Sequence, residues 1–150
     1  NKDSFSYILK SESKTSKPIM VYLSTHKNQV NQIELKQFEP IFFDFDKSDI
    51  LLKYKVRLDK VVKFLNKYPQ VRLELSSYTD CRGADSYNLE LSNRRNKSVV
   101  DYIRKRVINP ERVSGKGYGE KSSIGGDSCY KISETEHKKN RRTEKASSRD

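Results

Sequence analysis

Between residues 40 and 118, the spacing of the apolar residues changes repeatedly between the period of a strand and the period of a helix. A first apolar run, Pro40–Phe45, has the length of a buried strand. A stripe spaced by three or four positions follows from Ile50 to Leu65 and ends before Pro69, which is typical of an amphipathic helix. Residues 71–75 then alternate apolar and charged side chains, which predicts a strand with one buried face.

The chain continues with the same alternation after this strand. A second helix is predicted from about Asn88 to Arg106, followed by a strand at Val113–Tyr118. Residues 121–139 are polar and are predicted as a loop, and residues 141–146 as a last strand. The resulting order is βαβαββ. We therefore predict an α+β fold, a two-layer sandwich with helices packed on one face of a mixed β-sheet.

The polar segment before the first strand sets the expected domain boundaries. Residues 1–37 contain clusters of Ser and Lys and are interpreted as a linker or the end of a preceding domain. The domain is assigned to residues 38–146, and residues 147–150 to a tail. The longest apolar run, Ile19–Leu23, is far shorter than the roughly 20 residues that cross a bilayer, so no transmembrane segment is expected. The chain starts at Asn1 with no visible signal peptide, and we interpret it as a fragment of a longer protein.

The chain is strongly basic, with 31 Lys and Arg residues, 20 Asp and Glu residues and a formal net charge of +11. This charge favours an anionic partner, such as nucleic acid, anionic lipid or a carboxylate-rich polymer, or it simply keeps the surface solvated. The basic run Lys138–Arg142 supports a nucleic-acid-binding domain, but no aromatic stacking motif accompanies it. Nucleic acid is therefore not the expected partner, and its binding is kept as the alternative function.

No set of residues in the sequence predicts catalysis. His26 and His137 both lie in polar segments, which gives a Ser-His-Asp arrangement no support. The run Gly115-x-Gly117-x-Gly119 lacks the Gly-Lys-Ser/Thr end of a nucleotide-binding loop. We therefore expect a binding domain rather than an enzyme, with no cofactor and no metal site.

The two cysteines, Cys81 and Cys129, are 48 positions apart. They either form one disulfide in an oxidising compartment or remain two unrelated free thiols, and the sequence does not decide between these two interpretations. Neither histidine obviously joins them, so the sequence does not predict a metal site here.

Arg95 is the most unusual residue of the second predicted helix. It lies four positions after Leu91 and four before Val99, so it shares their apolar face. A guanidinium there needs a nearby anion because an unpaired buried charge is costly, and Asp80 is the candidate. One reading is a structural salt bridge between the two residues, or an Arg95 that reaches outward to solvent. The other is two charges held apart to bind the ammonium and the carboxylate of an amino-acid head group.

Several motifs, in order along the chain, resemble those of the OmpA-like C-terminal domains. The run Tyr78–Arg95 resembles the family signature of Thr-Asp, Gly, Tyr-Asn, Leu-Ser and Arg at these spacings. Phe43–Ser48 resembles the first strand and turn of the family, and Gly117–Glu120 and Asn140–Glu144 resemble its later motifs. The resemblance covers about residues 38–146. The Thr-Asp-Cys-Arg-Gly form, with a later loop cysteine, resembles Bacteroidetes versions.

The resemblance implies a periplasmic domain that binds peptidoglycan and anchors an outer-membrane protein or lipoprotein to the cell wall. Its usual ligand is the diaminopimelate of the stem peptide, and other domains of a larger parent protein are implied as further partners. Asp80 is expected to bind the ligand ammonium and Arg95 the carboxylate, so alanine at either is expected to abolish binding while the fold survives. Asn96, where the family commonly has alanine, is expected to loosen the helix packing. The resemblance also implies contacts from Asp44, Phe45, Asn88, Leu91 and Arg142.

Overall fold

The structure, a computed structural model, describes residues 38–121 and 129–146, so the predicted linker and tail lie outside the described residues. Among the helices of these two ranges, none has the length and apolar character of a membrane span. Two 3-10 helices, Pro110–Arg112 and Cys129–Lys131, lie between the longer elements. The strands are β1 (Ile41–Phe42), β2 (Leu73–Ser77), β3 (Val113–Gly117) and β4 (Arg142–Lys145), and the helices are α1 (Leu52–Lys67), α2 (Asp85–Arg104) and α3 (Glu134–Asn140).

The four strands form one mixed sheet in the order β1-β4-β2-β3. β2 and β3 are parallel, with Leu75 opposite Gly115, whereas β4 runs antiparallel to both of its neighbours. Thr143 of β4 pairs with Ile41 on one side and with Ser77 on the other. The last strand is therefore inserted between the first two, which brings residues near 141 next to the end of β2.

One apolar core joins α1 and α2 to the sheet. Leu73 and Leu75 point to one face of β2, because side chains alternate along a strand. Both helices share the core with these leucines, so both pack on that face, as predicted. The core consists of Ile41, Phe43, Tyr54, Leu58, Val61, Val62, Leu65, Val71, Leu73, Leu75, Val99, Val100, Ile103, Val107 and Val113.

The predicted α+β architecture with a mixed sheet is confirmed, but the prediction missed α3. This helix lies in the segment predicted as a loop, and its seven polar residues are too few to show an apolar stripe. The missed signal is the Ser-x-x-Glu spacing of a capping box. Ser133 Oγ accepts a hydrogen bond from the Glu136 N–H (3.3 Å), and Glu136 Oε2 accepts one from the Ser133 N–H (2.8 Å).

Both long helices begin differently from the prediction. The predicted stripe starts at Ile50, but α1 begins at Leu52, its N-cap is Leu51 and no side-chain hydrogen bond caps the helix. The second helix begins three residues before the predicted Asn88. The Asn88 N–H already donates to the carbonyl oxygen of Ala84 (2.9 Å), so the free N–H groups of this helix lie one turn earlier than expected.

The close approach of α2 to the sheet depends on two glycines of β3. A Cβ atom on Gly115 would lie 2.5 Å from the carbonyl oxygen of Leu75, and one on Gly117 would lie 2.4 Å from a backbone nitrogen of α2. Asn96 of α2 packs beside Gly115, and its Nδ2 donates to the carbonyl oxygens of Leu75 (3.0 Å) and Lys116 (3.3 Å). The expectation that Asn96 loosens the packing is therefore wrong, because its amide ties α2 to β2 and β3.

Candidate functional site

A small, charged pocket lies where the ends of β1 and β2 meet the start of α2. Its volume is about 30 Å³, which is room for roughly one water molecule. The hydroxyl of Thr79 is buried in its wall and has no hydrogen-bond partner within residues 38–121 and 129–146. The pocket is lined by Phe45, Asp46, Thr79, Asp80, Arg82, Tyr87, Asn88, Leu91, Arg95 and Arg141.

A larger cavity of about 470 Å³ lies between α1 and the sheet. Core residues such as Leu58 and Leu75 line it, together with basic residues of α1 such as Lys60 and Lys63. None of the predicted site residues faces this cavity. The smaller pocket is therefore the better candidate site, because the buried charges converge there.

Asp80 is buried in the wall of the small pocket, and its carboxylate accepts four hydrogen bonds. Oδ1 accepts from the N–H (3.1 Å) and Nε (3.2 Å) of Arg82. Oδ2 accepts from Nη2 of Arg82 (2.8 Å) and Nη1 of Arg141 (3.1 Å). Burial alone would raise the pKa of Asp80, but the hydrogen bonds from Arg82 and Arg141 outweigh it and hold the pKa below its ordinary value. Asp80 is therefore negatively charged at neutral pH.

Arg82 covers Asp80 from the solvent side. Its Nη1 donates to Oε2 of Glu134 in α3 (2.9 Å), and its guanidinium carbon lies 4.5 Å from the centre of the Phe45 ring. Glu134 also accepts a hydrogen bond from Nη1 of Arg141 (3.1 Å). The hydrogen bond to Asp80 raises the pKa of Arg82, and the bonds from the two arginines lower the pKa of Glu134. The four charges therefore form one network that persists at neutral pH.

Arg95 is fully buried, and its guanidinium contacts the backbone rather than Asp80. Nε donates to the carbonyl oxygen of Lys47 (2.8 Å), Nη1 to that of Tyr78 (3.2 Å) and Nη2 to that of Asp44 (3.1 Å). Arg95 thus joins the turn after β1 to the end of β2. A direct salt bridge between Asp80 and Arg95, one of the two readings of the sequence, is not the arrangement found.

The surroundings of Arg95 disfavour its charge without removing it. Burial, and next the positive charge of Arg141, lowers the pKa of Arg95 to about 10. The guanidinium carbon lies 5.2 Å from the centre of the Phe43 ring, and the carbonyl oxygens around it accept its protons. Arg95 is therefore still a cation at neutral pH.

The structure brings most of the predicted site residues to the small pocket. Asn88 is buried and its Nδ2 donates to Oε2 of Glu120 (2.6 Å), while Phe45 is exposed at the mouth. Asp44 is different, because its side chain is exposed and only its carbonyl oxygen reaches Arg95. The predicted residues that line the pocket are Asp80, Arg95, Phe45, Asn88 and Leu91.

Arg142 lies outside the pocket, contrary to the prediction. Its Nε donates to Oε2 of Glu144 (3.0 Å), and its guanidinium carbon lies 4.2 Å from the centre of the Tyr78 ring. Arg141 lines the pocket instead, and its Nε donates to the carbonyl oxygen of Phe43 (3.0 Å). Consecutive side chains of an extended segment point to opposite sides, so only one of two adjacent arginines can face the site.

Cys81 and Cys129 form a disulfide bond next to Asp80, with their Cα atoms 5.6 Å apart. The bond ties the loop after β2 to the segment that leads into α3, which carries Glu134. His137 of α3 lies beside the bond, with the possible ligand atoms of the three residues within 4.8 Å of one another. A histidine therefore does join the cysteines, which the sequence did not indicate. Both sulfur atoms are in the disulfide, so they are not thiolate ligands for a metal.

Comparison with known proteins identifies the family. The family model described as OmpA family matches residues 42–141. This chain belongs to the OmpA family. Over 102 residues it is 31% identical to Outer membrane protein A of Serratia marcescens, a match that covers 65% of the chain and 28% of that protein. Over 86 residues it is 38% identical to Photosystem I P700 chlorophyll a apoprotein A2 of Gloeobacter violaceus, covering 57% of the chain and 10% of that protein. The chain thus spans less than a third of the length of these relatives.

Solved structures share the fold of this OmpA-family chain. The peptidoglycan-associated lipoprotein from Burkholderia pseudomallei aligns with a TM-score of 0.65 at 23% identity, covering 71% of this chain and 86% of that one. The cell wall anchor of the T6SS from Pseudomonas aeruginosa aligns with a TM-score of 0.58 at 16% identity, covering 77% of this chain and 90% of that one. These similarities confirm the predicted OmpA-like fold.

Sequence reasoning missed five residues that line the site in this OmpA-family domain: Asp46, Thr79, Arg82, Tyr87 and Arg141. The Tyr87 hydroxyl donates to the Asp46 carboxylate, which links the start of α2 to the turn after β1. Arg82 had a signal, because an arginine two positions after a buried aspartate can fold back onto it. Arg141 had none in its spacing, because its approach to Asp80 depends on the insertion of β4 between β1 and β2.

Proposed function

We propose that this domain binds peptidoglycan non-covalently through the diaminopimelate of the stem peptide. In doing so, it would anchor an outer-membrane protein or lipoprotein to the cell wall. The observation that carries the proposal is one pocket that holds a buried carboxylate, a buried guanidinium and the hydroxyl of Thr79, which has no hydrogen-bond partner among the described residues. Two proteins of similar fold are named for such roles, one as a peptidoglycan-associated lipoprotein and the other as a cell wall anchor.

The free end of a diaminopimelate side chain is a zwitterion, with an ammonium and a carboxylate on one carbon. Asp80 accepts hydrogen bonds from the ammonium in this proposal, since a carboxylate is acceptor-only when ionised. Arg95 donates three N–H groups to backbone carbonyls, and a guanidinium has five, so two remain for the ligand carboxylate. The requirement for both charges in one orientation gives specificity.

The proposed place of action is the periplasm, where an outer-membrane-associated protein reaches the cell wall. The similar protein from Serratia marcescens is named for the outer membrane, which borders that compartment. The proposed role is binding rather than catalysis, because the pocket combines charges of both signs, which suit recognition of a zwitterion. Release of soluble muropeptides from sacculi by the purified protein would contradict this part of the proposal.

Nucleic acid binding, the alternative from the sequence, finds less support in the site. Arg141 and Arg142 of the basic run Lys138–Arg142 are both buried. Arg141 is bonded to Asp80 and Glu134, and Arg142 is bonded to Glu144. These guanidinium groups are therefore not exposed to a phosphate backbone, which removes two charges from the run that suggested this function.

The direct test is a pull-down of the protein with purified sacculi. Asp80→Asn keeps the size of the side chain but removes the charge that pairs with the ammonium. We expect binding at least roughly 30-fold weaker, the usual effect of removing one partner of a buried charge pair. Asp59→Asn is the matched control, because the Asp59 carboxylate accepts a hydrogen bond from the Tyr102 hydroxyl (2.8 Å) at the exposed surface of α1.

Full retention of sacculus binding by Asp80→Asn would contradict the site, and no binding by the wild-type protein would contradict the function. Binding of the same proteins to duplex DNA at increasing salt separates the alternative. A nucleic-acid-binding domain would bind DNA with a steep dependence on salt, and neither Asp80→Asn nor Asp59→Asn would weaken it.

A further inference from the structure

The Asp80 carboxylate has no position open for a ligand while Arg82 lies on it. A carboxylate offers about four lone-pair positions. Arg82 fills three of them with its N–H, Nε and Nη2, and Arg141 fills the fourth. An incoming ammonium can therefore bind Asp80 only if one of these donors leaves.

Arg82 is the donor that can leave. Its side chain is 34% exposed, whereas that of Arg141 is 6% exposed and also bonded to the carbonyl oxygen of Phe43. The other contacts of Arg82 are with the exposed residues Phe45 and Glu134, at the mouth of the site. Rotation of the Arg82 side chain into solvent leaves the buried part of the network in place.

The size of the pocket leads to the same conclusion. A volume of about 30 Å³ holds roughly one water molecule, so the pocket does not enclose the ammonium, α-carbon and carboxylate of an amino acid while Arg82 is in place. The guanidinium of Arg82 lies between Phe45 and Asp80 and occupies the space next to this pocket. Its departure opens the site and exposes Asp80 in one movement.

We propose that Arg82 blocks Asp80 in the free protein and selects a zwitterionic ligand over a plain ammonium by an exchange of ion pairs. The proposal rests on the proposed function of the same site. A zwitterion replaces the Asp80–Arg82 pair by two pairs. Its ammonium pairs with Asp80, and its carboxylate, which also accepts from Arg95, pairs with the displaced Arg82. An ammonium without a carboxylate must break the same pair and offers Arg82 nothing in return.

The test compares two probes that differ only in their carboxylates, meso-diaminopimelate and 1,5-diaminopentane. Their affinities for the full 150-residue chain are measured by calorimetry or NMR titration at fixed ionic strength. We expect the wild-type protein to prefer meso-diaminopimelate. In Arg82→Ala, we expect the affinity for 1,5-diaminopentane to rise by roughly fivefold, which corresponds to the upper free energy of an exposed ion pair. The preference for meso-diaminopimelate over 1,5-diaminopentane is expected to narrow accordingly.

Arg57→Ala is the matched control. Arg57 also pairs with a carboxylate, that of Glu39 (2.8 Å), and its guanidinium carbon lies 5.1 Å from the centre of the Tyr54 ring. Its removal changes the net charge equally, but Arg57 does not line the small pocket. We expect Arg57→Ala to keep the wild-type affinities for both probes, which separates the Arg82 effect from a general change of charge.

An unchanged preference in Arg82→Ala overturns the role of Arg82. If the wild-type protein still binds sacculi and meso-diaminopimelate in that case, the proposed function stands and only the Arg82 proposal falls. If the wild-type protein binds neither, both proposals fall.

A second measurement uses the wild-type protein alone. The ¹⁵Nε signal of Arg82 is expected to shift when meso-diaminopimelate saturates the site, because its bond to Asp80 is lost, and an unmoved signal overturns the proposal.

Discussion

The two halves of α2 bury different chemistry against the same sheet. The C-terminal half buries Val99, Val100 and Ile103 against the apolar start of β2. The N-terminal half buries mostly polar side chains, and it faces the polar end of β2, where Ser77 Oγ lies 2.6 Å from Thr143 Oγ1. We call residues 85–96 of this helix the polar half and residues 97–104 the apolar half, and the buried residues of the polar half are Asn88, Leu91, Ser92, Arg95 and Asn96.

This difference shows how the domain supports a charged site without exposing its core. The apolar half is stabilised by burial of apolar surface, which is non-directional and contributes roughly 1.5–3 kcal/mol for each large side chain. The polar half depends on hydrogen bonds, and each buried group there costs free energy if its partner is lost. Charged residues can therefore be held in fixed positions at the polar end, while the apolar end keeps the helix on the sheet.

The largest expected effect comes from the two fully buried side chains that represent the two halves, Arg95 and Ile103. Arg95→Ala removes the buried guanidinium that donates to three backbone carbonyl oxygens, so we expect a loss of roughly 3–5 kcal/mol in the free energy of unfolding. Ile103→Ala leaves an apolar cavity and is expected to cost roughly 2–5 kcal/mol. Urea unfolding measures both values.

The two variants differ in binding rather than in stability. Folded Ile103→Ala is expected to bind sacculi like the wild-type protein, whereas Arg95→Ala loses binding as well as stability. This changes the sequence-based expectation that the fold survives Arg95→Ala. A fully stable Arg95→Ala protein would show that the polar half does not depend on this guanidinium.

A smaller effect is expected where Asn96 joins the two halves. Asn96→Ala removes the amide that donates to Leu75, Lys116 and Ser77, so we expect a loss of roughly 1–3 kcal/mol in the free energy of unfolding. Ser98→Ala is the control, because the Ser98 hydroxyl donates within α2, to the Arg94 carbonyl oxygen (3.1 Å). Equal stability of the two variants would show that the polar contacts of Asn96 contribute little.

The apolar half could be predicted from the sequence, and the reason is physical. A stripe of apolar residues at helical spacing needs no knowledge of its partner, since any apolar face of the sheet can cover it. The stripe therefore identified Val99, and the alternation identified Leu73 and Leu75. The short helix α3 was not predicted, because its stability comes from a capping box and from contacts of Glu134 with two arginines.

The polar half could be predicted only in part. Helical spacing placed Arg95 among buried residues and suggested Asp80 as its partner, and the family resemblance favoured a ligand site over a salt bridge. The partners of both depend on which strands and turns come together, which spacing does not encode. Arg95 therefore contacts carbonyl oxygens of distant turns, and Arg141 rather than Arg142 reaches Asp80. The partners of directional contacts can be identified only from the tertiary structure, whereas apolar burial can be predicted from the spacing alone.

The smallest expected effect is on the pH dependence of the free energy of unfolding. It compares Asp80, a charged residue beside the polar half, with Ile103 of the apolar half. The pKa of Asp80 in the folded protein lies below its ordinary value of 3.8, because of its bonds to Arg82 and Arg141. The unfolded chain therefore takes up this proton first, and the stabilisation is complete above about pH 4 and is lost as the pH falls through the folded-state pKa. We expect the free energy of unfolding to drop more between pH 7 and pH 3 in the wild-type protein than in Asp80→Asn, by about 1 kcal/mol or less.

Ile103→Ala should keep the wild-type drop, because it removes no titrating group. An equal drop in Asp80→Asn and the wild-type protein would mean that the bonds from Arg82 and Arg141 do not stabilise the ionised Asp80 carboxylate.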